Sequence, residues 1–309
     1  MGAYQEKSVL LTGATGYVGG RLLPALTAAG YRVRCLVRHA ARLQGYSRPQ
    51  VEVIEGDLLN QPPLLRALQG IDLAYFLVHS MAAGRDFDER DRHIAHTFSR
   101  AAAEAGVARI IYLGGLASGG DLSRHLASRQ EVGQILRDSG VPTLEFRASI
   151  IIGAGSISFE MIRALVNRLP IMVVPRWVKT LAQPIAIDDV IAYLLAGLQL
   201  DLDGSAVFEI GGPDRLSYLD LLKEYARQRG LRRIILPVPV LTPWLSSLWL
   251  GLITPLQAQV GRRLIEGVRN ETIVNNPAAL ELFPIRPRSL SQAIREALDS
   301  ENTREPQFS

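Results

Sequence analysis

The residues with the clearest chemical potential form a glycine-rich segment near the start of the chain. Residues 10–19 read LLTGATGYVG and contain three glycines in the pattern G-x-x-G-x-x-G. In such a pattern the first glycine permits a tight turn, the second lets a pyrophosphate approach the backbone, and the third lets a helix pack closely on a strand. The amides at the start of that helix then bind phosphate groups. The segment therefore predicts a dinucleotide site, the alternative being a glycine-rich turn without a ligand.

The end of the second apolar run bears on which dinucleotide is bound. A carboxylate there would bind the ribose 2′-hydroxyl of NAD, whereas an arginine accommodates the 2′-phosphate of NADP. Residues 34–38 read RCLVR, with Arg42 one turn further on and no carboxylate in this window. We therefore expect NADP, with NADPH preferred over NADH. The alternative for Arg38 is a solvated surface position, which most arginines occupy.

Polar residues also follow the third and fourth apolar runs. Asp57 and Leu58 follow the third run, where a carboxylate and a backbone amide could contact an adenine edge. A helix cap or a turn explains Asp57 equally well. His79 and Ser80 end the fourth run at the edge where open α/β sheets bind ligands, so they are candidate neighbours of the ribose or the nicotinamide. A structural histidine is the alternative for His79.

The alternation of strands and helices around these segments predicts the fold. Apolar runs predict strands at residues 8–11, 31–37, 51–55, 71–78, 109–113, 143–152 and 206–210, and helical patterns cover 17–29, 63–68, 88–105, 123–139, 158–169 and 187–198. Strands separated by helices indicate right-handed crossovers and a parallel sheet covered on both faces. The predicted fold class is therefore α/β, a Rossmann doubly wound parallel sheet with a smaller C-terminal substrate lobe.

The regularity of the pattern loosens after residue 153, which suggests where the domains divide. We expect an NAD(P)-binding Rossmann domain over residues 1–155 and a substrate lobe mainly over 156–300, with 183–215 returning to the Rossmann sheet. Proline-punctuated loops are predicted after residue 169, and helices with apolar loops beyond residue 215. The polar residues 301–309 are predicted to form a flexible tail.

The composition favours a folded cytoplasmic protein and excludes several classes of function. Apolar residues make up 48% and charged residues 21%, which is enough for a core and too little charge for a disordered chain. The 34 Lys and Arg residues are scattered, so no nucleic-acid partner is expected. The single cysteine, Cys35, excludes an intramolecular disulfide and a cysteine-rich zinc site and suits a reducing cytosol. His93 and His96 lie among charged residues, which indicates a helix face rather than a metal site.

The apolar segment 241–256 has two interpretations. It carries no charge and contains Trp244 and Trp249, yet it is broken by proline and falls short of the ~20 apolar residues that span a membrane. No transmembrane segment is therefore predicted. The favoured interpretation is the buried wall of the substrate lobe. The alternative is an exposed lip that takes a lipid-like or quinone-like substrate, makes a peripheral membrane contact or dimerises.

The order of several segments resembles a known family. TGATGYVGG, LVRHAARL, GDLL, FLVHSM, AGVARIIYLGGL, LEFRASIIIGAGS and QPIAIDDVIAYL follow one another as in extended and atypical short-chain dehydrogenase/reductases. The resemblance is to their NmrA-like and epimerase-like NAD(P)-binding branch and spans roughly residues 8–215. It implies cofactor contacts at Gly13, Thr15, Gly16, Tyr17, Val18, Gly19, Arg38, Asp57, Leu58, Val78, His79 and Gly114. Within this set Arg38 would bind the 2′-phosphate, and His79 would lie toward the nicotinamide.

The chain departs from this family at the positions that do the chemistry. The family uses a serine after the fifth strand and Tyr-x-x-x-Lys on the next helix, where tyrosine moves the proton and lysine lowers its pKa. Here the serine position holds Gly114 and Gly115, and the helix has His125 and Arg129 at the Tyr-x-x-x-Lys spacing. The standard pair is therefore absent.

Two interpretations of this helix remain. In the first, His125 replaces tyrosine as the proton donor, since histidine exchanges a proton near neutral pH, and Arg129 is a fixed cation that holds the ribose or a phosphate. In the second, both are exposed residues of a degenerate site. The corresponding functions are an NADPH-dependent reductase or epimerase of a small apolar substrate, and a catalytically silent nucleotide-bound sensor or assembly factor. The silent protein would bind a protein partner through its C-terminal apolar surface. Ser118, Ser123 and Ser128 are predicted to be loop and cap residues.

Overall fold

The elements of the chain come from a computed structural model that describes residues 7–46, 48–80, 86–117, 119, 121–238 and 268–302. The strands are β1 Ser8–Thr12, β2 Arg32–Val37, β3 Val51–Glu55, β4 Leu73–Phe76, β5 Arg109–Gly115, β6 Thr143–Ala148, β7 Ile151–Ile152, β8 Ile171–Pro175, β9 Leu181–Ala182, β10 Ile185–Ala186, β11 Ala206–Ile210, β12 Leu216–Ser217 and β13 Ile234–Val238. The helices are α1 Gly19–Ala28, α2 Gln61–Leu68, α3 Phe87–Glu104, α4 Arg124–Arg137, α5 Ile157–Arg168, α6 Ile187–Ala196, α7 Tyr218–Gln228, α8 Ala278–Leu282 and α9 Leu290–Asn302. Short 3-10 turns lie at Ala40–Leu43 and Arg176–Lys179.

A seven-stranded sheet forms the centre of the described fold. Its strands lie in the order β11-β6-β5-β4-β1-β2-β3, and every neighbouring pair is parallel. The order changes direction between β1 and β4, which is the point where doubly wound sheets bind ligands beyond the carboxyl ends of their strands. The predicted α/β Rossmann fold is confirmed.

Helices cover both faces of this sheet. One core lies between the sheet and helices α1 and α6, and it contains Leu11 and Tyr75. The other lies between the sheet and helices α2, α3 and α4, and it contains Leu10 and Phe76. Neighbouring residues of one strand thus enter opposite cores, because side chains alternate across a sheet. Burial on both faces explains why these strands read as continuous apolar runs.

A third core lies outside the central sheet. Helices α5, α7 and α9 pack around Phe159, Tyr225 and Ile294, all fully buried. The parallel pair of β8 and β13 lies against this core through Met172 and Val174. This core belongs to the part of the chain where a separate lobe was expected. The proposed domain boundaries stay a prediction.

Two predictions for this part of the chain are wrong. The strand predicted over 143–152 divides into β6, which pairs with β5 and β11, and β7, which pairs with β10. Residues 171–175 and 234–238 pair as β8 and β13, where loops and helices were predicted. The sequences IMVVP and IILPV are short apolar runs with proline, so no periodicity marks them as strands.

Within the described residues, no helix has the length and apolar character needed to cross a membrane. Segment 241–256, with Trp244 and Trp249, lies outside the described residues, and so do residues 303–309 of the predicted tail. The helix α9 extends to Asn302, two positions into that tail. The peripheral membrane contact and the cytoplasmic location stay predictions.

Candidate functional site

The glycine-rich loop joins β1 to α1 by a turn that its glycines make possible. Gly13 has φ +75, and a Cβ there would lie 2.6 Å from the carbonyl oxygen of Leu77. Any other residue would therefore be strained and would collide with the end of β4. Gly16 N donates to Gly13 O at 2.9 Å and closes the turn. A Cβ on Gly19 would lie 2.2 Å from Gly13 O, so the third glycine lets α1 begin against the loop.

The hydroxyl of Thr12 ties the loop to the neighbouring strand. This fully buried side chain donates to Tyr75 O at 2.8 Å and accepts from Leu77 N at 3.2 Å. It therefore links β1 to β4 at the change in strand order. Sequence reasoning missed Thr12, although the residue directly precedes the glycine motif and ends an otherwise apolar run.

The first turn of α1 leaves its backbone amides without a side-chain cap. The N-cap position is Val18, the first turn holds no acidic residue, and Thr15 and Gly16 are exposed. Uncapped amides at a helix start bind anions, so this turn fits a diphosphate. The ring of Tyr17 packs against Arg21, whose guanidinium lies 4.0 Å from the ring centroid. The cofactor contact expected for Tyr17 stays a prediction.

Two exposed arginines follow β2. Arg38 comes directly after the strand and Arg42 lies in the next turn, and neither forms an ion pair with a described residue. The carboxylate of Glu55, at the end of the adjacent strand β3, accepts from Ala40 N at 2.8 Å. Glu55 thereby holds the turn that follows Arg38. Sequence reasoning missed this carboxylate because it reaches the turn from another strand.

The structure gives Asp57 a role in a turn. Its Oδ1 accepts from Leu59 N at 3.0 Å, which is an Asx turn, and Arg90 Nη2 lies 3.9 Å from Oδ2. Leu58 is 7% exposed and packs into the core beside α2, so only its backbone could contact a ligand. The adenine contact expected for these two residues stays a prediction.

Two histidines predicted from separate segments meet at the carboxyl edge of the sheet. His79 follows β4 and is exposed, whereas His125 lies in the first turn of α4 and is partly buried. Their ring centroids are 5.5 Å apart, and the ring of Phe87 lies 6.5 Å from that of His125. Val78 packs against the core beneath. The structure therefore brings together one residue expected near the nicotinamide and the candidate proton donor.

A buried carboxylate holds the chain beside this histidine pair. Asp91, on α3, is 5% exposed and accepts from Ser80 N at 2.7 Å. Burial raises the pKa of Asp91, while the hydrogen bond from Ser80 acts in the opposite direction. Asp91 is thus buried on a helix whose sequence here is otherwise highly charged. His93 and His96, which were predicted to lie on a charged face of this helix, are exposed.

Arg129 attaches α4 to the central sheet. Its guanidinium donates to the carbonyl oxygen of Leu113 in β5 and lies 5.0 Å from the ring centroid of Tyr112. The Tyr112 hydroxyl donates in return to Arg129 O at 2.9 Å. These contacts fix the helix that carries His125. Contact of Arg129 with a ribose or phosphate stays a prediction.

A comparison with protein families bears directly on the glycine loop. Residues 13–145 match the family model described as NAD(P)H-binding. The N-terminal part of this chain is an NAD(P)H-binding domain. Its glycine loop and the uncapped start of α1 fit the diphosphate of that cofactor.

Relatives with curated names match parts of the chain that differ in length. Ceramide reductase of Caulobacter vibrioides is 27% identical over 235 residues, which are 75% of this chain and 73% of the relative. Sterol demethylase protein B of Methylococcus capsulatus is 31% identical over 110 residues, 34% of this chain and 33% of the relative. The similarity to ceramide reductase thus extends beyond the NAD(P)H-binding domain.

Solved structures share the fold over nearly the whole chain. The NADPH-dependent quinone oxidoreductase of Escherichia coli, solved with NADPH, matches with a TM-score of 0.75 at 18% identity and covers 94% of this chain and 99% of its own. Triphenylmethane reductase of Citrobacter sp., solved with NADP(H), matches with a TM-score of 0.75 at 16% identity, with the same coverage of 94% and 99%. At these identities the likeness shows the fold alone.

Gly114, within this NAD(P)H-binding domain, makes room for a buried carboxylate. A Cβ on Gly114 would lie 2.8 Å from Glu145 Oε1, and one on Gly133 would lie 2.4 Å from Oε2. Glu145 is fully buried and forms ion pairs with Arg137 and with Arg147, whose Nε is 2.7 Å from Oε1. A side chain at Gly114, near which the resemblance implies a serine, would therefore crowd the Glu145 carboxylate. The cofactor contact expected at Gly114 stays a prediction.

The remaining candidates are the three serines that were predicted to be loop and cap residues. Ser123 is the N-cap of α4, and its hydroxyl accepts from Leu126 N at 3.4 Å. Ser128 lies inside α4 and is 3% exposed, so its prediction as a loop or cap residue is wrong. Ser118 lies outside the described residues. Within the described part of the chain, no group of three or more His, Cys, Asp or Glu side chains could hold a metal ion.

Proposed function

We propose that this chain is an NADPH-dependent reductase that converts an apolar carbonyl compound into an alcohol. The observation that carries the proposal is the meeting of His79 and His125, with ring centroids 5.5 Å apart, at the edge of the sheet where such domains hold the cofactor. His125, one of this titratable pair, takes the place of the missing tyrosine as the proton donor.

The preference for NADPH over NADH is supported by Arg38. It is exposed at the end of β2 and has no carboxylate partner among the described residues. An NAD-specific site needs an acceptor for the 2′-hydroxyl at this point, and the nearby carboxylate of Glu55 is already engaged by Ala40 N. A free guanidinium instead suits a 2′-phosphate.

The chemistry assigns a separate task to each group. NADPH, when bound, would supply the hydride that reduces the carbonyl carbon and would be oxidised to NADP⁺. The carbonyl oxygen takes the bonding pair and accepts a proton from a ring nitrogen of His125, which becomes neutral and regains a proton from water. Arg129 fixes the helix that carries this histidine, through its bond to Leu113 O.

The substrate class is supported by the relatives. Two of them are named for a ceramide and a sterol, both of which are apolar molecules. The apolar segment 241–256 suits such a substrate, either as the wall of its pocket or as an entrance. An apolar ketone is therefore the class to test first.

The test is NADPH oxidation with a panel of long-chain and polycyclic ketones, in wild type, His125→Ala and His93→Ala. His93 is exposed on α3 and serves as the matched control. We expect His125→Ala to lower kcat by about 100-fold or more without weakening NADPH binding, and His93→Ala to have no effect. Full turnover by His125→Ala would overturn its role as the proton donor.

A second candidate function is favoured by the absence of the Tyr-x-x-x-Lys pair. In that case the chain binds NADPH without turnover and acts as a sensor or assembly factor. It predicts no oxidation of NADPH with any ketone of the panel. It also predicts capture of a protein partner that is lost in a Trp244→Ser, Trp249→Ser variant.

A further inference from the structure

A side chain from the C-terminal part of the described fold reaches the start of α4. The carboxamide of Asn270 makes two hydrogen bonds there: its Oδ1 accepts from Ser123 N at 3.0 Å, and its Nδ2 donates to Asp121 O at 2.7 Å. Both partners are backbone groups, so the contact fixes the course of the chain as it enters the helix. Asn270 lies about 150 positions away in sequence and was not among the predicted site residues.

The segment around Asn270 is itself held firmly. Thr272 N donates to Leu181 O at 3.1 Å, and Gln183 N donates to Thr272 O at 2.9 Å. The side chain of Gln183 accepts from Val274 N at 2.9 Å. The buried hydroxyl of Thr272 lies 2.6 Å from that of Ser149, which follows β6 at the carboxyl edge of the sheet. These hydrogen bonds therefore fix the position of the segment from which Asn270 contacts α4.

The start of α4 determines where His125 lies. Ser123 is the N-cap of the helix, and His125 follows two positions later in its first turn. A displacement of the N-cap would move the imidazole by a similar amount, because the first turn is continuous with the cap. The ring centroid of His125 lies 5.5 Å from that of His79. His79 follows β4, so the two rings belong to different elements of the fold.

We propose that Asn270 is a positioning residue that holds His125 beside His79. The C-terminal part of the chain, in which the substrate lobe was predicted, thereby sets the geometry of the proton donor of the Rossmann domain. This inference rests on the proposed reductase function for its catalytic consequence. The ring geometry itself is measurable without turnover.

The experiment compares wild type, Asn270→Ala and Asn276→Ala, each bound to NADPH. Asn276 lies on the same segment, but its side chain accepts from Ala278 N and makes no bond to α4, so it is the matched control. The first readout is NMR of protein with labelled histidines, with the ring signals assigned through His79→Gln and His125→Gln. We expect Asn270→Ala to weaken the nuclear Overhauser effect between the two histidine rings and to shift the pH titration of both rings. We expect Asn276→Ala to leave both measurements unchanged.

The second readout is steady-state kinetics with the ketone that wild type turns over best. We expect Asn270→Ala to lower kcat by roughly 10- to 100-fold with KM nearly unchanged, because displacement of a reacting group by about 1 Å has this effect. If Asn270→Ala does not fold, Asn270→Asp keeps the acceptor for Ser123 N and is expected to give an intermediate loss.

The two proposals fail in different ways. Unchanged histidine signals in Asn270→Ala, or in Asn270→Asp if the first variant does not fold, would overturn the positioning role, whatever the kinetics. Absence of turnover in wild type would overturn the reductase function while the histidine signals still decide the role of Asn270. A kcat loss of equal size in Asn276→Ala would also contradict the inference, because it would show a general effect of the segment.

Discussion

At the scale of single residues, the space for the Glu145 carboxylate depends on two glycines. Glu145 is fully buried between β6 and α4, and Arg137 and Arg147 hold both of its oxygens. A carboxylate buried in this way is costly to leave unpaired, so its position is tightly constrained. Gly133 and Gly114 lie so close to these oxygens that a methyl group at either position would overlap them.

Gly133→Ala tests this packing. Within a helix, alanine normally stabilises relative to glycine by about 1 kcal/mol. Here the Cβ would lie 2.4 Å from Glu145 Oε2, and such overpacking costs about 1–3 kcal/mol. We expect a net loss in the free energy of unfolding, measured by urea denaturation. Gly45→Ala is the control, because nothing lies within 4 Å of its Cβ position. A Gly133→Ala protein as stable as wild type would contradict the account.

The residues that sequence analysis identified share a local signature. The glycines at 13, 16 and 19 follow from the spacing of the motif, and His125 follows from its place where tyrosine is expected. Thr12, Asp91 and Glu145 were missed because what defines them is a partner elsewhere in the chain. Asp91, for example, differs from the exposed Glu89 nearby in its burial and in its bond to Ser80 N.

At the scale of elements, α3 carries two carboxylates with opposite electrostatics. The hydrogen bond from Arg124 lowers the pKa of Asp88, whereas burial raises the pKa of Asp91. The folded state therefore favours the charged form of Asp88 and the neutral form of Asp91. Stability from Asp88 is present above its ordinary pKa and is lost as pH falls, while the contribution of Asp91 becomes less favourable as pH rises from its ordinary pKa toward its raised one.

Thermal unfolding of Asp88→Asn and Asp91→Asn between pH 3 and pH 7 tests this contrast. Relative to wild type, we expect Asp88→Asn to lose Tm at neutral pH and to recover at acid pH. Asp91→Asn keeps an acceptor for Ser80 N, so we expect its Tm relative to wild type to increase as pH rises through the range above about 4. Parallel pH profiles for the two variants would show that burial does not govern Asp91.

The same scale shows why part of the fold could be predicted. Six of the seven strands of the central sheet were expected within two residues of their bounds, and the predicted strand 143–152 contains the seventh, β6. The pair of β8 and β13 was missed because its strands lie about 60 positions apart and neither has an alternating pattern. Likewise, the link from Asn270 to α4 depends on the tertiary fold and leaves no local signal.

At the scale of the whole molecule, the reactivity of the single cysteine, Cys35, measures how often the fold unfolds. Cys35 lies in β2, is 0% exposed in the core under α1, and burial raises the pKa of its thiol to about 12. Reaction with a thiol reagent needs both access and a thiolate, and the native fold supplies neither. Labelling of Cys35 therefore depends on unfolding of the central sheet.

We expect very slow labelling by a thiol reagent in native buffer and rapid labelling in urea. A ligand that binds only the folded state lowers the population of open molecules, so NADPH should slow native labelling further. The measurement is the rate of thiol release of a chromogenic reagent, with and without NADPH. Rapid labelling of folded protein, verified by circular dichroism, would contradict the buried position of Cys35.

Calorimetric titration with NADPH and NADH tests the central claim most directly. The proteins are wild type, Arg38→Ala and Arg66→Ala, the last an exposed arginine in the final turn of α2 and the matched control. We predict tighter binding of NADPH than of NADH in wild type, and a loss of roughly 10- to 100-fold in NADPH affinity in Arg38→Ala alone, with NADH unaffected. Equal affinities for the two nucleotides, unchanged by Arg38→Ala, or no binding of either, would contradict an NADPH-dependent enzyme.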